Sequence, residues 1–388
     1  MDDAALLKAA KELAPQVAAA SDQIDRERRL PEPLVAALVK ADLFRMLVPR
    51  SMGGSEASLP TLIDVIQEIA KADGSTAWCL NQAAVGAMIS AALPPDAARN
   101  IFGRPDAIPA WGPGAGTALP AEGGYRITGE WSFASGCRHA TWLGGNCALL
   151  GGGGEPKLEP DGTPQRCMML FPAGEAEFRD MWDVSGLRGT ASDTYQVSDL
   201  FVPADRAVPF RNAHVYEPGP LYLFRGDVFS TGYPIGFASV ALGLARSALD
   251  AFLELASTKT PRLLTEPLCD QAVVQMDVGL AEARLRSSEA FLRQAVNDAW
   301  DTGTRTRTFP QAQRMLIRLS ATHAIQCSAE VVDMVYQAAG ATAIFTSNAF
   351  ERRWRDVHAV TQQFQGRREH YRTAGRFFLG ADLQGVVF

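Results

Sequence analysis

The sequence has little of the two residue types that most often build covalent or metal-centred sites. Its six cysteines include no C-x-x-C pair, and its five histidines include no H-x-x-x-H pair. Scattered cysteines are typical of buried, small hydrophobic side chains. Metal sites need ligands at characteristic spacings. We therefore expect neither a disulfide framework nor a metal centre.

The sequence also lacks a long apolar run and a basic block. No apolar stretch approaches the ~20 residues that a membrane-spanning helix needs. The N-terminal segment MDDAALLKAAKEL begins acidic and amphipathic, unlike a signal peptide. The net charge of −6 is spread over both halves, which argues against nucleic acid as a partner. These features predict a cytoplasmic protein that does not enter the membrane.

Several catalytic motifs are missing as well. Ser135, in FASGC, lies inside a hairpin pattern and not in the G-x-S-x-G strand-to-helix turn of a nucleophile. No G-x-G-x-x-G opens a helix after a strand, so no Rossmann site for NAD(P)H is expected. The acidic residues fall at solvent-facing helical positions or in loops, which predicts no catalytic carboxylate pair.

What the sequence does contain is a change of periodicity along its 388 residues, a length that predicts several sub-domains. Residues 1–104 carry apolar side chains at three- and four-residue steps, typical of helices, with Ser58 as an expected N-cap. Residues 105–227 contain short strand-like runs between Gly and Pro, which predict a mostly antiparallel β domain. Residues 228–388 predict an antiparallel four-helix bundle. The fold class is therefore α+β, with a cleft where the three parts meet.

Four sequence segments make the predicted order of domains more specific. They are VPRSMGGSEASLPTLIDVIQEIAKADGSTAW, GGYRITGEWSFASGCRHATW, DVSGLRGTASDTYQVSDLFVP and QAAGATAIFTSNAFERRWRDVHA. In this order, and over most of the chain, they resemble the acyl-CoA dehydrogenase fold. The resemblance implies an N-terminal helical domain, a middle antiparallel β domain and a C-terminal four-helix bundle.

The dehydrogenases of this fold use a glutamate to remove the substrate α-proton, from one of two regions of the chain. Here the first region has Gln363, Phe364 and Gln365 at the corresponding positions, and the second reads FSTGYPIGF. Neither position offers a carboxylate, and an amide cannot accept the proton. Acyl-CoA dehydrogenation is therefore disfavoured.

The segments WSFASG and GSTAW instead resemble the corresponding segments of the flavin-dependent monooxygenases that share this fold. That group includes the phenol hydroxylases of steroid and hydroxyphenylacetate breakdown and dibenzothiophene monooxygenase. The resemblance implies reduced FMN or FAD supplied by a separate flavin reductase, a C4a-hydroperoxyflavin formed with O2, and transfer of one oxygen to a small hydrophobic or aromatic substrate. It also implies a homotetramer or homodimer. Such chemistry needs a dry pocket and a hydrogen-bond donor near flavin N5.

The resemblance also implies a set of flavin-binding residues. Ser135 corresponds to the serine at the reactive N5/C4a edge, Trp131 and Phe133 flank the ring system, and Arg262 is expected at the phosphate, for which its planar fork of donors is suited. The resemblance places Trp111 and Thr117, on the preceding loop, along the pyrimidine side of the flavin. Ser347 and Asn348, which come before FERRWRD, are further candidates for cofactor binding.

The residues that would act on the substrate are less typical of the group. Many of these monooxygenases place a histidine eight residues after the Arg of RD; here that position is Gln363, and His358 lies five residues earlier. We therefore take Ser135, His358 and Gln363 as the catalytic candidates, with His358 or His370 taking the place of the missing histidine. The expected substrate pocket consists of Trp78, Asn81, Met88, Phe229 and Tyr233. Side-chain type alone does not distinguish carbon, sulfur and nitrogen oxidation.

Two alternative functions and several structural interpretations stay open at this point. The first alternative is an FAD-dependent acyl-CoA dehydrogenase or desaturase with an unrecognised base, and the second is a catalytically degenerate flavin-binding protein. Trp131 and Phe133 alternate with small residues, a pattern that core packing alone would also give. His358 is equally consistent with a histidine that only makes interface contacts.

Overall fold

Residues 1–227 and 231–381 are described by the structure, which is a computed structural model. The N-terminal part is helical, and its helices start at polar caps. The Asp2 carboxylate accepts from the N–H of Ala5 at 2.8 Å, and the Ser58 hydroxyl accepts from the N–H of Thr61 at 3.3 Å, which confirms Ser58 as an N-cap. The helices are α1 (Asp3–Glu27), α2 (Glu32–Lys40), α3 (Leu59–Ala72), α4 (Gly74–Ala87) and α5 (Pro95–Phe102).

The middle part forms one sheet in the order β6-β7-β3-β2-β4-β5-β8, with β1 paired to β4. The pairs β1–β4 and β2–β4 are parallel, and the other strand pairs are antiparallel. The strands are β1 (Pro109–Trp111), β2 (Gly114–Ala121), β3 (Gly124–Trp131), β4 (Trp142–Leu149), β5 (Arg166–Pro172), β6 (Glu177–Arg179), β7 (Thr194–Pro203) and β8 (Ala207–Pro209).

The centre of the β domain is built around the ring of Trp131. The ring is fully buried, and its centroid lies 5.5 Å from that of Tyr195. Gly116, Gly129 and Gly145 leave the space that the indole fills, since a Cβ on any of them would lie 2.6–2.7 Å from atom Cζ2 of Trp131. Residues from three strands therefore determine where this tryptophan packs.

The C-terminal part is helical again. Its elements are α6 (Gly232–Thr258), α7 (Ala272–Thr306), α8 (Gln311–Ala339), α9 (Ala349–Thr361) and α10 (Glu369–Phe378). Among the described residues, α6 has the length and composition of a membrane-spanning helix, but 83% of its apolar window is buried inside the fold. The expectation that no apolar run approaches that length is thus wrong for α6, which is a central helix of the core.

The three parts are joined by packing and by a buried polar contact. Helices from both ends of the chain share one large apolar core, and the β domain has a core of its own. Between them, the backbone N–H of Leu187 donates to the carboxylate of Asp356 on α9 at 2.6 Å. A Cβ on Gly186 would lie 2.2 Å from the Arg355 carbonyl oxygen, so the backbones touch here. The predicted fold class is confirmed, whereas the domain limits at residues 104 and 227 stay predictions.

The cysteines are all free thiols. Five of them are buried, in keeping with the prediction of small hydrophobic side chains, whereas Cys269 is exposed. Over residues 1–227 and 231–381, no group of three or more His, Cys, Asp or Glu side chains is placed to hold a metal ion.

Candidate active site

Ser135 lies in the turn that follows β3, where the β domain meets α4. The indole N–H of Trp78, on α4, donates to the Ser135 hydroxyl at 2.9 Å. Gly136 has a φ of +81°, a left-handed conformation that glycine adopts without strain, and its N–H donates to the carbonyl of Thr190. Ser135 is nearly buried, so its hydroxyl is held in one place by groups from two parts of the chain.

Two further hydroxyls extend from Ser135 and were not among the predicted site residues. Ser192 Oγ lies 2.7 Å from Ser135 Oγ, and Thr190 Oγ1 lies 2.7 Å from Ser192 Oγ. The chain ends where the Thr190 hydroxyl donates to the carbonyl of Leu187 at 2.9 Å. Both residues occur in the segment GLRGTAS, but nothing in their spacing indicates a partner 57 residues away.

A column of aromatic rings continues from Trp78 towards the start of α6. The ring of Trp78 is stacked on that of Phe237 at a centroid distance of 4.0 Å, and the ring of Tyr233 is also stacked on that of Phe237, at 5.8 Å. All three side chains are buried, as is Met88. Burial raises the pKa of Tyr233, while a hydrogen bond with Trp111 acts in the opposite direction. Trp78 and Tyr233 thus both stack on Phe237, and Met88 is buried in the same apolar core, whereas Phe229 lies outside the described residues.

Asn81 lies one helical turn after Trp78 on α4 and is fully buried. Neither its amide nitrogen nor its amide oxygen has a hydrogen-bond partner in the described part of the chain. The amide is packed against α6 at Gly236, where a Cβ would lie 1.7 Å from the Asn81 Oδ1 atom. A buried amide without partners is costly, which makes Asn81 a candidate for contact with a ligand.

The two aromatic residues of the WSFASG segment have different surroundings. The interpretation of Trp131 as a ring that flanks the flavin is corrected, because its indole is enclosed in the β-domain core and donates to the Asn146 carbonyl. Phe133 is 63% exposed, has a φ of +54°, and meets the ring of Trp182 edge-on at 5.9 Å. Phe133 is therefore the aromatic side chain of this segment that has an open face.

The loop residues predicted for the pyrimidine side are also separated. Trp111 is half-buried, and its ring lies against α4, where a Cβ on Gly86 would come within 2.9 Å of it. Thr117 is exposed on β2, opposite Thr128 of β3. Contact of either residue with a cofactor stays a prediction.

Arg262, Ser347 and Asn348 belong to two loops that the structure places side by side. The ammonium group of Lys259 donates to the carbonyl of Ala339 at 2.6 Å and to the hydroxyl of Thr342 at 2.7 Å. The amide of Asn348 donates to the carbonyl of Thr342 at 2.9 Å, and Arg262 and Ser347 are exposed nearby in sequence. Sequence reasoning missed Lys259, which connects the two loops.

The catalytic candidates of the C-terminal region have hydrogen-bond partners outside the Ser135 hydroxyl chain. His358 Nε2 is 2.9 Å from the carboxylate of Asp333, in a groove of 610 Å³. Asp356, two residues earlier on α9, accepts from the backbone N–H of Leu187; positions two apart lie on nearly opposite helix faces. A catalytic role for His358 stays a prediction.

Gln363 and His370 also have local partners. The Gln363 side chain accepts from the N–H of Gln365 at 2.6 Å and so caps the short helical turn Phe364–Gly366. His370 Nε2 donates to the carbonyl of Phe364 at 2.8 Å. The Gln363 oxygen is used as a local cap, and a catalytic role for this residue stays a prediction.

His139 is the imidazole that lies nearest to the Ser135 turn in sequence. Its ring is 5.5 Å from that of Phe44, and a Cβ on Gly136 would lie 3.1 Å from its Nε2 atom. That nitrogen has no hydrogen-bond partner among the residues that the structure describes. Burial lowers the pKa of His139 to about 4, so the ring is neutral near pH 7.

Comparison with known proteins identifies the family. Residues 2–94 match the acyl-CoA dehydrogenase N-terminal domain, and residues 235–367 match the acyl-CoA dehydrogenase C-terminal domain. An indole-3-acetate monooxygenase from Pseudomonas putida is 30% identical over 362 residues, covering 92% of this chain and 89% of that protein. The chain belongs to the flavin-dependent monooxygenases of this fold.

Two other relatives of this flavin-dependent monooxygenase extend the comparison. The oxygenase component of an FADH2-dependent resorcinol hydroxylase from Rhizobium sp. is 29% identical over 358 residues, 87% of this chain and 85% of that protein. The structure of XiaF from Streptomyces sp., in complex with FADH2 and glycerol, has a TM-score of 0.89 at 25% identity and covers 100% of this chain and 97% of its own. The predictions of a monooxygenase and of reduced flavin as its cofactor are confirmed.

The geometry around Ser135 in this monooxygenase fits the edge of a flavin. A hydroxyl oxygen can accept two hydrogen bonds, and Ser135 Oγ accepts one from Trp78. Phe133 provides an open aromatic face close by in sequence, next to Trp182. Exposed Arg262 offers the planar cation that a phosphate prefers.

Proposed function

We propose that this flavin-dependent monooxygenase is the oxygenase component of a two-component system that acts on a small aromatic substrate. Reduced flavin, when bound, supplies the electrons that activate O2. The proposal is supported by relatives named for indole-3-acetate and resorcinol, and by the description of one of them as an oxygenase component, which implies a separate reductase. The observation that carries it is the buried aromatic column of Trp78, Phe237 and Tyr233 beside Ser135.

The roles of the side chains follow from their positions. Ser135 contacts the reactive edge of the flavin, and Phe133 contacts its ring system. The aromatic column excludes water and holds a flat substrate, in keeping with the apolar lining of most small-molecule sites. Asn81 is the polar group within this apolar surrounding, and it binds a polar substituent of the substrate.

The flavin phosphate is bound at the loops that carry Arg262, Ser347 and Asn348. FMN ends in a phosphate group and FAD carries a pyrophosphate between its two halves, and an arginine can bind either of them with two hydrogen bonds. FAD is supported by the FADH2 complex of XiaF, and the proposal includes either flavin.

We further propose that the protein is a homotetramer or homodimer whose subunits meet at these loops. Large apolar side chains are exposed in the same loops, and three more are exposed along α7 at helical spacing. Exposed apolar surface of this extent is typical of an interface between subunits. The residues are Leu263, Leu264, Ile344, Phe345, Val273, Met276 and Leu280.

The function is tested with purified protein, an unrelated flavin reductase, NADH, and either resorcinol or indole-3-acetate as a probe. Mass spectrometry after reaction under isotopically labelled O2 should show one labelled oxygen atom in the product. The reductase alone, with flavin and substrate, is the control. Protein that is isolated with tightly bound oxidised FAD and is bleached by an acyl-CoA would overturn the proposal in favour of a dehydrogenase.

A further inference from the structure

The three hydroxyls of Ser135, Ser192 and Thr190 form a chain whose protons can be counted. Each hydroxyl has a single proton to donate. The Thr190 proton is donated to the carbonyl of Leu187 at 2.9 Å, because a carbonyl only accepts. In the 2.7 Å contact between Thr190 and Ser192, the donor is therefore Ser192. In the 2.7 Å contact between Ser192 and Ser135, the donor is then Ser135.

The hydrogen bond from Trp78 to Ser135 agrees with this direction of donation along the chain. The indole of Trp78 has an N–H and no acceptor, so it can only donate to Ser135 Oγ. The Ser135 proton thus points to Ser192, and the oxygen keeps one lone pair for a ligand. Ser135 therefore offers an acceptor to the proposed flavin edge, whereas the sequence-based expectation was a donor near flavin N5.

This direction matters because the two redox states of a flavin differ at N5. Reduced flavin carries a hydrogen on N5 and can donate it, whereas oxidised flavin has a lone pair there and can only accept. We propose that the Ser135, Ser192 and Thr190 chain makes the site select reduced over oxidised flavin, with Ser192 and Thr190 as positioning residues. This inference rests on the proposed contact of Ser135 with the flavin edge.

The size of the selection follows from the number of hydrogen bonds. Reduced flavin adds one bond to Ser135 and leaves the chain intact. Oxidised flavin needs a donor, so Thr190 must turn from Leu187 to Ser192, and Ser192 to Ser135. The Leu187 carbonyl would still accept from the indole N–H of Trp182 at 3.1 Å. The reversal thus gains one bond and loses one, and one hydrogen bond corresponds to about tenfold in affinity.

The test measures the affinity of the full-length protein for FMN and for FAD in both redox states, by fluorescence titration of the oxidised form and anaerobic titration of the reduced form. Wild-type protein should bind the reduced form at least about tenfold more tightly. Ser192→Ala removes the acceptor of the Ser135 proton, which is then free to bond to oxidised N5. The ratio of the two affinities should fall by about tenfold.

Three further variants distinguish an effect of the hydrogen-bond direction from a general structural change in the hairpin. Thr190→Val removes the end of the chain with little change of shape and should lower the ratio as Ser192→Ala does. Thr190→Ser keeps the hydroxyl and should keep the ratio. Ser132→Ala is the matched control, since Ser132 accepts from Thr194 at 3.0 Å in the same hairpin but is not part of the chain. Circular dichroism identifies any variant that does not fold. If Ser192→Ala does not fold, the affinity ratio of Thr190→Val tests the inference instead.

The outcomes distinguish the inference from the function on which it rests. A wild-type protein that binds neither redox state overturns both. A second outcome is that the wild-type protein binds reduced flavin preferentially while Ser192→Ala and Thr190→Val keep the same affinity ratio. That result would overturn the role of the hydroxyl chain but would not contradict the proposed function. An equal fall in all four variants, including Ser132→Ala, also overturns it, because the effect is then general to the hairpin.

Discussion

The indole N–H of Trp78 and the hydroxyl of Ser135 are joined by a 2.9 Å hydrogen bond between α4 and the turn after β3. One residue thereby belongs to two features of the site: the Trp78 ring is part of the aromatic column, and its N–H fixes the hydroxyl at the proposed flavin edge. The position of the substrate-binding surface and the position of the flavin edge are thus set relative to each other by a single side chain.

Trp78→Phe keeps an aromatic ring next to Phe237 and removes the hydrogen bond to Ser135. Because a buried polar group loses its partner, we expect the free energy of unfolding to fall by about 1–2 kcal/mol. Product formed per O2 consumed should fall, which a paired oxygen-electrode and chromatography assay would measure. Trp354→Phe removes an indole hydrogen bond to Asp333 on the bundle and is the control. Full coupling in Trp78→Phe would contradict the role given to this bond.

Asn81→Leu should change stability and substrate binding in opposite directions. Replacing a buried amide that lacks partners in the described structure with an apolar side chain of similar size should stabilise the fold by about 1 kcal/mol or more. The same change removes the polar contact to the substrate, so KM should rise. Thermal unfolding and steady-state kinetics measure the two effects. A variant that is stabilised with an unchanged KM would mean that Asn81 does not bind the substrate.

Gly236→Ala should act through Asn81. The added methyl group would lie 1.7 Å from the Asn81 Oδ1 atom, so the amide must move. We expect substrate KM to rise, and the double variant with Asn81→Ala to show a non-additive change in unfolding free energy, as residues in contact do. Gly375→Ala, on α10 with nothing within 4 Å of the added atom, is the matched control and should stabilise by about 1 kcal/mol. Additive values for the two changes would refute a contact.

Stability between pH 4 and 6.5 should depend on His139. Burial lowers its pKa to about 4 in the folded protein, from an ordinary value of 6.5. The unfolded state therefore binds more protons in this interval, and stability falls as the pH drops from 6.5 to 4. Urea unfolding of wild type and His139→Gln should show a smaller loss over this interval in the variant.

Asp356 has the opposite pH dependence, which is why the comparison uses the difference between two proteins. Burial raises the pKa of this carboxyl to about 7, so the unfolded state is the more ionised between pH 4 and 7, and stability falls as the pH rises. Subtracting the His139→Gln curve from that of wild type removes this contribution. Identical curves for the two proteins would show that His139 is not buried in its neutral form.

The secondary-structure elements and their order could be predicted from the sequence because local patterns encode them. Helical periodicity and caps such as Ser58 act within a few residues, and the quoted segments identified the fold. The place of Trp131 depends on glycines in β2, β3 and β4, so alternation along its own strand left two interpretations open. Position relative to other strands is not contained in a single strand.

The candidate site was predictable only in part, for a similar reason. Ser135 and Trp78 were identified, but their hydrogen bond spans 57 residues and no spacing rule predicts it. His358 was proposed from its distance along the chain to the RD pair, but the direction of each side chain depends on the phase of α9, which places Asp356 against Leu187. A shift of two positions on a helix reverses the direction of a side chain.

The contact between Leu187 and Asp356 has a consequence for biosynthesis. Its two partners are 169 residues apart, and the loop that carries Leu187 also carries Thr190 and Ser192. A chain emerging from the ribosome can complete its β domain well before α9 has been synthesised, since folding proceeds from the N-terminus. The loop beside Ser135 therefore receives this contact only after α9 has been synthesised, so a chain that stops before α9 lacks it.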